Sequence, residues 1–195
     1  MRPSRLFTMV AAAAALAWSF TPFALSGRVQ TNGKTGMTAH DFSFAGIDGS
    51  PIALADYRGR PVLVVNTASQ CGFTPQYEDL QALHERFAAR GLVVLGVPSN
   101  DFGAQEPGTN REIQSFCETR FGVEFPMTEK QVVAGGDSHP FFRWIAAEAG
   151  EAAAPRWNFH KYLIDGSGQL VGAWPSRVRP IAPEILGEVE KLLPR

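Results

Sequence analysis

Two apolar runs that flank a predicted amphipathic helix constrain the fold of this chain more than any other feature. Residues 61–65 (PVLVV) and 92–97 (LVVLGV) lack the alternation of a half-exposed strand, so each run predicts a strand that is buried on both faces. Residues 76–90 between them carry apolar side chains at helical spacing, and Gly91 ends the predicted helix. Such a unit is right-handed with parallel strands, so the loops that leave both strands meet at one edge of the sheet.

Cys71 lies in the predicted turn between the first strand and this helix. Thr74 and Pro75 are typical of a helix start, Thr74 as the cap and Pro75 at the first helical position. The free N–H groups and positive dipole end of a helix N-terminus favour a thiolate over a thiol. A lone cysteine is more often a small buried hydrophobe, but the polar neighbours Ser69 and Gln70 favour a nucleophile here.

The remaining segments predict an α/β protein in which a central mixed β-sheet is flanked by α-helices, the thioredoxin-like arrangement. In order, the segments are a hairpin (41–47 and 51–55), a helix from the capping box of Thr109 and Glu112 to Gly122, an extended piece (123–127), a helix (141–149) with His139 as a cap or turn residue, a hairpin (156–164 and 169–174) and a helix (183–193).

Two further loops carry neutral hydrogen-bond donors that can approach Cys71. Gln105 follows the second buried strand, at the same edge of the sheet as Cys71. Trp157 and Asn158 lie at the start of the predicted strand 156–164 and offer an indole N–H and an amide. A glutamine in such a loop is usually solvated, and a tryptophan usually packs in a core. On residue type alone, these three residues are therefore only candidates for a functional site.

The second cysteine, Cys117, allows two interpretations. It shares a predicted helix face with Ile113 and Phe116, which is the position of a buried, inert thiol. Two cysteines in an exported chain also often form one disulfide. Because Thr74 stands where a Cys-x-x-Cys motif would have its second cysteine, a dithiol cycle within one turn is excluded. The four histidines show no metal-ligand spacing with each other or with the cysteines, so no metal site is predicted.

The N-terminal residues differ in kind from the rest. Arg2 and Arg5 precede a mostly apolar run, and Ala24-Leu25-Ser26 offers a cleavage site, so residues 1–26 predict a signal peptide and a periplasmic or secreted protein. Two alternatives stay open, an uncleaved anchor or a cytoplasmic protein whose translation starts at Met37. Residues 27–36 are polar and Gly-rich and predict a flexible spacer, and residues 37–195 predict one domain. The net charge of −1, without a Lys/Arg run, gives no case for a nucleic-acid partner.

Three motifs together resemble the signatures of the glutathione peroxidase family, in the family's order. They are residues 66–74 (NTASQCGFT), 102–108 (FGAQEPG) and 157–159 (WNF), and the resemblance extends from about Met37 to the C-terminus. It implies a thioredoxin-like fold and a catalytic tetrad of Cys71, Gln105, Trp157 and Asn158, with cysteine in the place where many animal members carry selenocysteine.

The resemblance also implies an enzymatic activity, and with it an antioxidant role in the response to oxidative stress. Cys71 would reduce hydrogen peroxide and organic hydroperoxides through a sulfenic acid, without a cofactor. Cys117 resembles the resolving cysteine of the non-selenium branch, which implies recycling by a thioredoxin-like protein or by glutathione. The segment between Pro140 and Trp157 is short. It lacks the longer insertion that resembles the tetramer interface of the classical family members, so a monomer is expected. The alternatives are a thiol-based peroxide sensor that relays a disulfide to a partner, and a non-catalytic thioredoxin-like binding module.

Overall fold

The computed structural model describes residues 27–28 and 35–194, which fold around a five-stranded mixed sheet. The elements are β1 (Gly27–Arg28), β2 (Ser43–Ala45), β3 (Pro51–Ala53), β4 (Val62–Thr67), α1 (Gln76–Phe87), β5 (Val93–Pro98), α2 (Asn110–Phe121), α3 (Pro140–Ala149), β6 (Lys161–Ile164), β7 (Leu170–Trp174) and α4 (Pro183–Leu192). The large sheet has the order β1-β7-β6-β4-β5, and β2 pairs with β3 in a separate sheet. The predicted α/β class is confirmed.

The unit of two buried strands and one helix is present as predicted. Strands β4 and β5 pair in parallel from Val62 opposite Val93 to Thr67 opposite Pro98, and every residue of both strands is buried. Strand β6 pairs antiparallel with the other side of β4, which makes the sheet mixed. The carboxyl ends of β4 and β5 therefore lie side by side, and the loops that follow them meet at one edge of the sheet.

The sheet divides the hydrophobic core into two layers, because successive side chains of a strand point to opposite faces. On one face, Leu63 and Val65 pack in a cluster with side chains of α1, α2 and α4. On the other face, Val62 and Val64 pack with α3 and the N-terminal hairpin. Both faces are thus covered by apolar side chains, which explains why these strands show no polar alternation in the sequence.

The structure corrects two local predictions. Thr74 does not cap α1: Pro75 is the N-cap residue, and the Thr74 hydroxyl serves the Cys71 turn instead. Residues 156–160 are not part of a strand, because β6 begins only at Lys161. Trp157 and Asn158 therefore lie in a loop before the strand, and Phe159 in that loop has a φ of 62°, a left-handed conformation that a strand does not contain.

The predicted signal peptide, residues 1–26, lies outside the described residues, as do residues 29–34 of the predicted spacer. Within the spacer, β1 pairs antiparallel with β7, with Gly27 opposite Ala173 and Arg28 opposite Gly172. The Gly-rich composition of the spacer did not predict this pairing. None of the helices in the described part of the chain has the length and apolar character needed to span a membrane.

Candidate active site

Cys71 lies in a tight turn that connects β4 to α1. The Cys71 N–H donates to the Thr74 hydroxyl oxygen at 3.0 Å, and that hydroxyl donates to the Ala68 carbonyl oxygen at 2.9 Å. The Thr74 N–H in turn donates to the Cys71 carbonyl oxygen at 3.0 Å. Thr74 therefore fixes the turn from both sides, and the nucleophile candidate is held by a residue whose side chain is itself buried.

The thiol of Cys71 has a donor aimed at it. The Phe73 N–H donates to the Cys71 Sγ at 3.4 Å. Overlapping turn bonds follow, from the Gln76 N–H to the Phe73 carbonyl and from the Tyr77 N–H to the Thr74 carbonyl, and lead into α1. A backbone N–H near a helix start stabilises negative charge on sulfur more than it stabilises a neutral thiol. Cys71 is 8% exposed, so a small reactant can still reach it.

Gln105 and Asn158 meet as a hydrogen-bonded pair. The Asn158 Nδ2 donates to the Gln105 Oε1 at 3.0 Å and lies 3.3 Å from the Phe102 carbonyl oxygen. The side-chain oxygen of Gln105 already accepts this hydrogen bond. The N–H groups of the Gln105 side-chain amide are therefore the atoms that can bind a reactant. The Gln105 backbone carbonyl also accepts the Gln70 N–H at 3.0 Å, which joins the Gln105 loop directly to the residue before Cys71.

Trp157 lies at the protein surface, on the same loop as Asn158. The residue is 40% exposed, and its ring centroid lies 6.0 Å from that of Phe102. An exposed tryptophan on a loop is not the core residue that its type predicts by default. The structure thus brings Cys71, Gln105, Trp157 and Asn158 onto three loops at one edge of the sheet.

Asn66, at the end of β4, joins the third loop to the sheet. Its Nδ2 donates to the Trp157 carbonyl at 3.0 Å, and its Oδ1 accepts the His160 N–H at 3.0 Å. The Asn66 backbone carbonyl accepts the Phe159 N–H at 2.6 Å. These bonds hold the left-handed residue Phe159 in place and set the position of Trp157 and Asn158 relative to the Cys71 turn.

Cys117 is a fully buried free thiol on α2, as its helical spacing predicts. Burial raises the pKa of Cys117 from 9.0 to about 11; the nearby Tyr77 hydroxyl opposes this rise, and the charge of Glu106 adds to it. The predicted capping box is present, since Thr109 accepts the Glu112 N–H and the Glu112 carboxylate accepts the Thr109 N–H. Cys117 is thus inert in this conformation.

Sequence reasoning missed Glu106, which follows Gln105 directly. Its side chain is completely buried, although a charged residue in a Gly/Pro loop is normally solvated. Burial raises the pKa of Glu106, while the Ser69 hydroxyl and N–H and the Lys130 charge lower it. The only sequence signal was its position between Gln105 and Pro107 within a motif. Among the residues that the structure describes, no group of histidines, cysteines and carboxylates could hold a metal ion.

Comparisons with known proteins find similar sequences over most of the chain. The profile of the glutathione peroxidase family matches residues 39–146. The hydroperoxy fatty acid reductase gpx1 of Synechocystis sp. is 49% identical over 164 residues, which cover 80% of this chain and 96% of that protein. The glutathione peroxidase homolog BsaA of Halalkalibacterium halodurans is 45% identical over 159 residues, which cover 80% of this chain and 100% of that protein.

Solved structures show the same fold. The crystal structure of T. cruzi GPX1 has a TM-score of 0.64 at 29% identity, over 80% of this chain and 96% of that one. A thioredoxin family protein from Chlorobium tepidum has a TM-score of 0.57 at 18% identity, over 77% of this chain and 92% of that one, a likeness of fold alone. The predicted thioredoxin-like fold is confirmed.

Proposed function

The chain belongs to the glutathione peroxidase family and is a thiol peroxidase that reduces hydroperoxides, and from this premise we propose that Cys71 is the thiol that reacts. The observation that carries the proposal is the Cys71 turn, where the Phe73 N–H points at the sulfur and the bonded pair of Gln105 and Asn158 lies on the adjoining loops.

In the first step, the Cys71 thiolate attacks the terminal oxygen of the hydroperoxide. An S–O bond forms and the O–O bond breaks, so that Cys71 becomes a sulfenic acid and the remaining oxygen leaves as water or an alcohol after taking a proton. The Gln105 amide N–H groups and the Trp157 indole N–H stabilise the charge that develops on the oxygens, and Asn158 holds the Gln105 amide in position. The partial exposure of Trp157 supports this role, since its ring stays within reach of a reactant.

In the second step, the Cys117 thiol attacks the Cys71 sulfenic acid and releases water. The resulting disulfide is then reduced by a thioredoxin-like protein or by glutathione. Relatives in Chlamydomonas reinhardtii and Schizosaccharomyces pombe are named glutathione peroxidase-like peroxiredoxins, which supports a cycle carried by cysteine thiols. Cys117 is a fully buried free thiol in this conformation, so the proposed cycle includes a local opening of α2 before this step.

The substrates include hydrogen peroxide and organic hydroperoxides. The Synechocystis relative is named a hydroperoxy fatty acid reductase, which supports fatty acid hydroperoxides as one class for this chain. Kinetics of peroxide loss with hydrogen peroxide and with a fatty acid hydroperoxide, each with thioredoxin and with glutathione as reductant, measure both preferences. If the fatty acid hydroperoxide is not consumed with either reductant, fatty acid hydroperoxides are excluded as substrates.

Two variants test the assignment of the cysteines. Cys71→Ser should lose all peroxide consumption. Cys117→Ser should keep the first reaction with peroxide, lose thioredoxin-supported turnover and accumulate sulfenic acid on Cys71, detected by mass spectrometry. Peroxide turnover by Cys71→Ser would contradict the proposal. A sensor, by contrast, would form mixed disulfides with specific partner proteins and show little turnover in the wild type.

The proposal also includes the localisation of the protein and its oligomeric state. The charged and apolar leader of residues 1–26 supports export to the periplasm or the medium, and N-terminal sequencing of the native protein tests it, since a first residue at Met37 would contradict it. The short segment between Pro140 and Trp157 supports a monomer. A tetramer in light scattering at micromolar concentration would contradict that inference.

A further inference from the structure

A buried carboxyl without a hydrogen-bond partner lies on the loop that carries Gln105. Glu106 is completely buried, and neither of its carboxyl oxygens has a hydrogen-bond partner among the described residues. The hydroxyl of Ser69 also lacks one. Ser69 is nevertheless a close neighbour of the carboxyl, because its hydroxyl and N–H lower the pKa of Glu106. An unpartnered buried carboxyl is costly, and its retention calls for a use.

The surroundings of Glu106 leave its carboxyl unpaired. The nearest cation, Lys130, donates instead to the backbone carbonyls of Glu106, at 3.3 Å, and of Gly108, at 2.7 Å. The other titratable groups that face Glu106 are Tyr77 on α1 and Cys117 on α2, whose pKa values its charge helps to raise. No ion pair therefore neutralises the carboxylate within the part of the chain that the structure describes.

Glu106 borders a cavity of about 490 Å³ whose lining includes residues next to both cysteines. Ser69 and Gln70, directly before Cys71, line this cavity. Ile113 and Phe116, on α2 in the turn before Cys117, line it as well. Glu106 therefore shares one cavity with the neighbours of both cysteines, and its charge acts on the Cys117 thiol.

We propose that Glu106 carries the proton of the resolving step, from the Cys117 thiol to the hydroxide that leaves Cys71. This rests on the proposed function. Glu106 accepts the proton as the Cys117 sulfur attacks the Cys71 sulfur; the S–S bond forms and the S–O bond of the sulfenic acid breaks. The departing hydroxide then takes the proton from Glu106 and leaves as water. The Cys117 sulfur is oxidised, the Cys71 sulfur is reduced, and Glu106 ends in its initial state.

Electrostatics favours this transfer over a separate ionisation of Cys117. A thiolate beside the Glu106 carboxylate would place two negative charges in a buried region, and the raised pKa of Cys117 reflects that cost in part. Moving the proton to Glu106 leaves one charge instead of two. The burial that raises the pKa of Glu106 also brings its basicity closer to neutral pH, where proton transfer by a side chain is most effective.

The test measures sulfenic acid formation and disulfide formation separately, within one turnover of the Glu106→Gln variant. Reduced protein receives one equivalent of hydrogen peroxide, is quenched with an alkylating reagent, and is analysed by mass spectrometry for Cys71 sulfenic acid and for the Cys71–Cys117 disulfide. We expect disulfide formation to slow by about 10²-fold relative to sulfenic acid formation. In the wild type, disulfide formation should fall as pH drops through the pKa of Glu106, and Glu106→Gln should lose this dependence.

Two further variants control the result. Glu112→Gln changes a carboxyl that lines the same cavity but is exposed, and glutamine still fits a capping box, so it should match the wild type. Glu106→Asp keeps a carboxyl and should retain the pH dependence. Equal disulfide rates in Glu106→Gln and wild type, or a parallel loss of both steps with a lower melting temperature, would overturn the proposal. A wild type that forms no Cys71–Cys117 disulfide would instead refute the resolving step itself.

Discussion

The ends of α2 should control how fast the disulfide forms. Cys117 is fully buried on α2, so the observed rate of disulfide formation is the fraction of molecules with α2 open multiplied by the rate of the chemical step. Thr109→Ala removes the N-cap that accepts the Glu112 N–H, which costs about 1 kcal/mol. Since about 1.4 kcal/mol is a factor of ten, the open fraction and the rate should rise about fivefold.

A second variant addresses the other end of the helix. Gly122 ends α2 with a φ of 61°, and a Cβ added there would meet nothing within 4 Å. Gly122→Ala therefore costs only the left-handed backbone, about 1 kcal/mol or slightly more. If the whole helix opens, both variants should speed disulfide formation about equally. If only the last turns unwind, Gly122→Ala should act and Thr109→Ala should not.

The assay is the single-turnover experiment with mass spectrometry described above, and Thr119→Ala is the matched control. The Thr119 hydroxyl donates to the Ser115 carbonyl on the exposed side of the same helix, and alanine is a better helix former. Thr119→Ala should thus leave the rate unchanged or slightly lower, and sulfenic acid formation should not change in any of the three variants. If neither Thr109→Ala nor Gly122→Ala speeds disulfide formation, the opening of α2 does not limit that step.

Three other predictions follow from the same geometry. Gln105→Ala and Asn158→Ala should each lower the rate of the first step about 10²-fold to 10³-fold in stopped-flow fluorescence, and the double variant should lose less than the product because the two amides are bonded to each other; a full product would contradict this coupling. Thr74→Val leaves the Cys71 N–H and a carbonyl unsatisfied and should cost about 1–3 kcal/mol in urea unfolding, whereas an unchanged midpoint would show the turn to be independent of Thr74. Burial lowers the pKa of Lys161 from 10.5 to about 7, so the unfolded chain binds more protons above that pH and stability should rise with pH from about 7 to about 9; Lys161→Met should lose this rise, and a slope equal to that of the wild type would contradict the shift.

The sequence predicted those parts of the fold whose signal is local or periodic. The apolar runs of β4 and β5 have no polar alternation because both faces of the strands are covered, and the box of Thr109 and Glu112 marks the start of α2 through bonds within four residues. Helix α1 ends at Phe87, earlier than predicted, and Gly91, with a φ of 107°, ends the 3₁₀ turn Ala88–Arg90 that continues it. In each case the residues that determine the conformation are neighbours in the chain, so pattern alone is sufficient.

Two of the features that the sequence did not predict depend on partners that are distant in sequence, and the third depends on near neighbours. Residues 156–160 have strand composition, but the bonds from Asn66 to the Trp157 carbonyl and to the His160 N–H impose a loop. The Thr74 cap failed for a local reason, because its hydroxyl is used by the Cys71 N–H and by the Ala68 carbonyl. The burial of Glu106 involves distant residues, since Ser69 and residues of α2 line the same cavity.

In the proposed cycle, the burial of Cys117 sets the order of the two steps. Raising the pKa of this thiol from 9.0 to about 11 lowers its thiolate fraction at neutral pH about a hundredfold, so Cys117 neither reacts with peroxide nor exchanges with other disulfides while α2 is closed. In the proposed cycle, the opening of α2 lets the sulfur approach Cys71, and the Glu106 carboxylate takes the thiol proton as the sulfur attacks. Cys117 then becomes a nucleophile only where the Cys71 sulfenic acid can receive it.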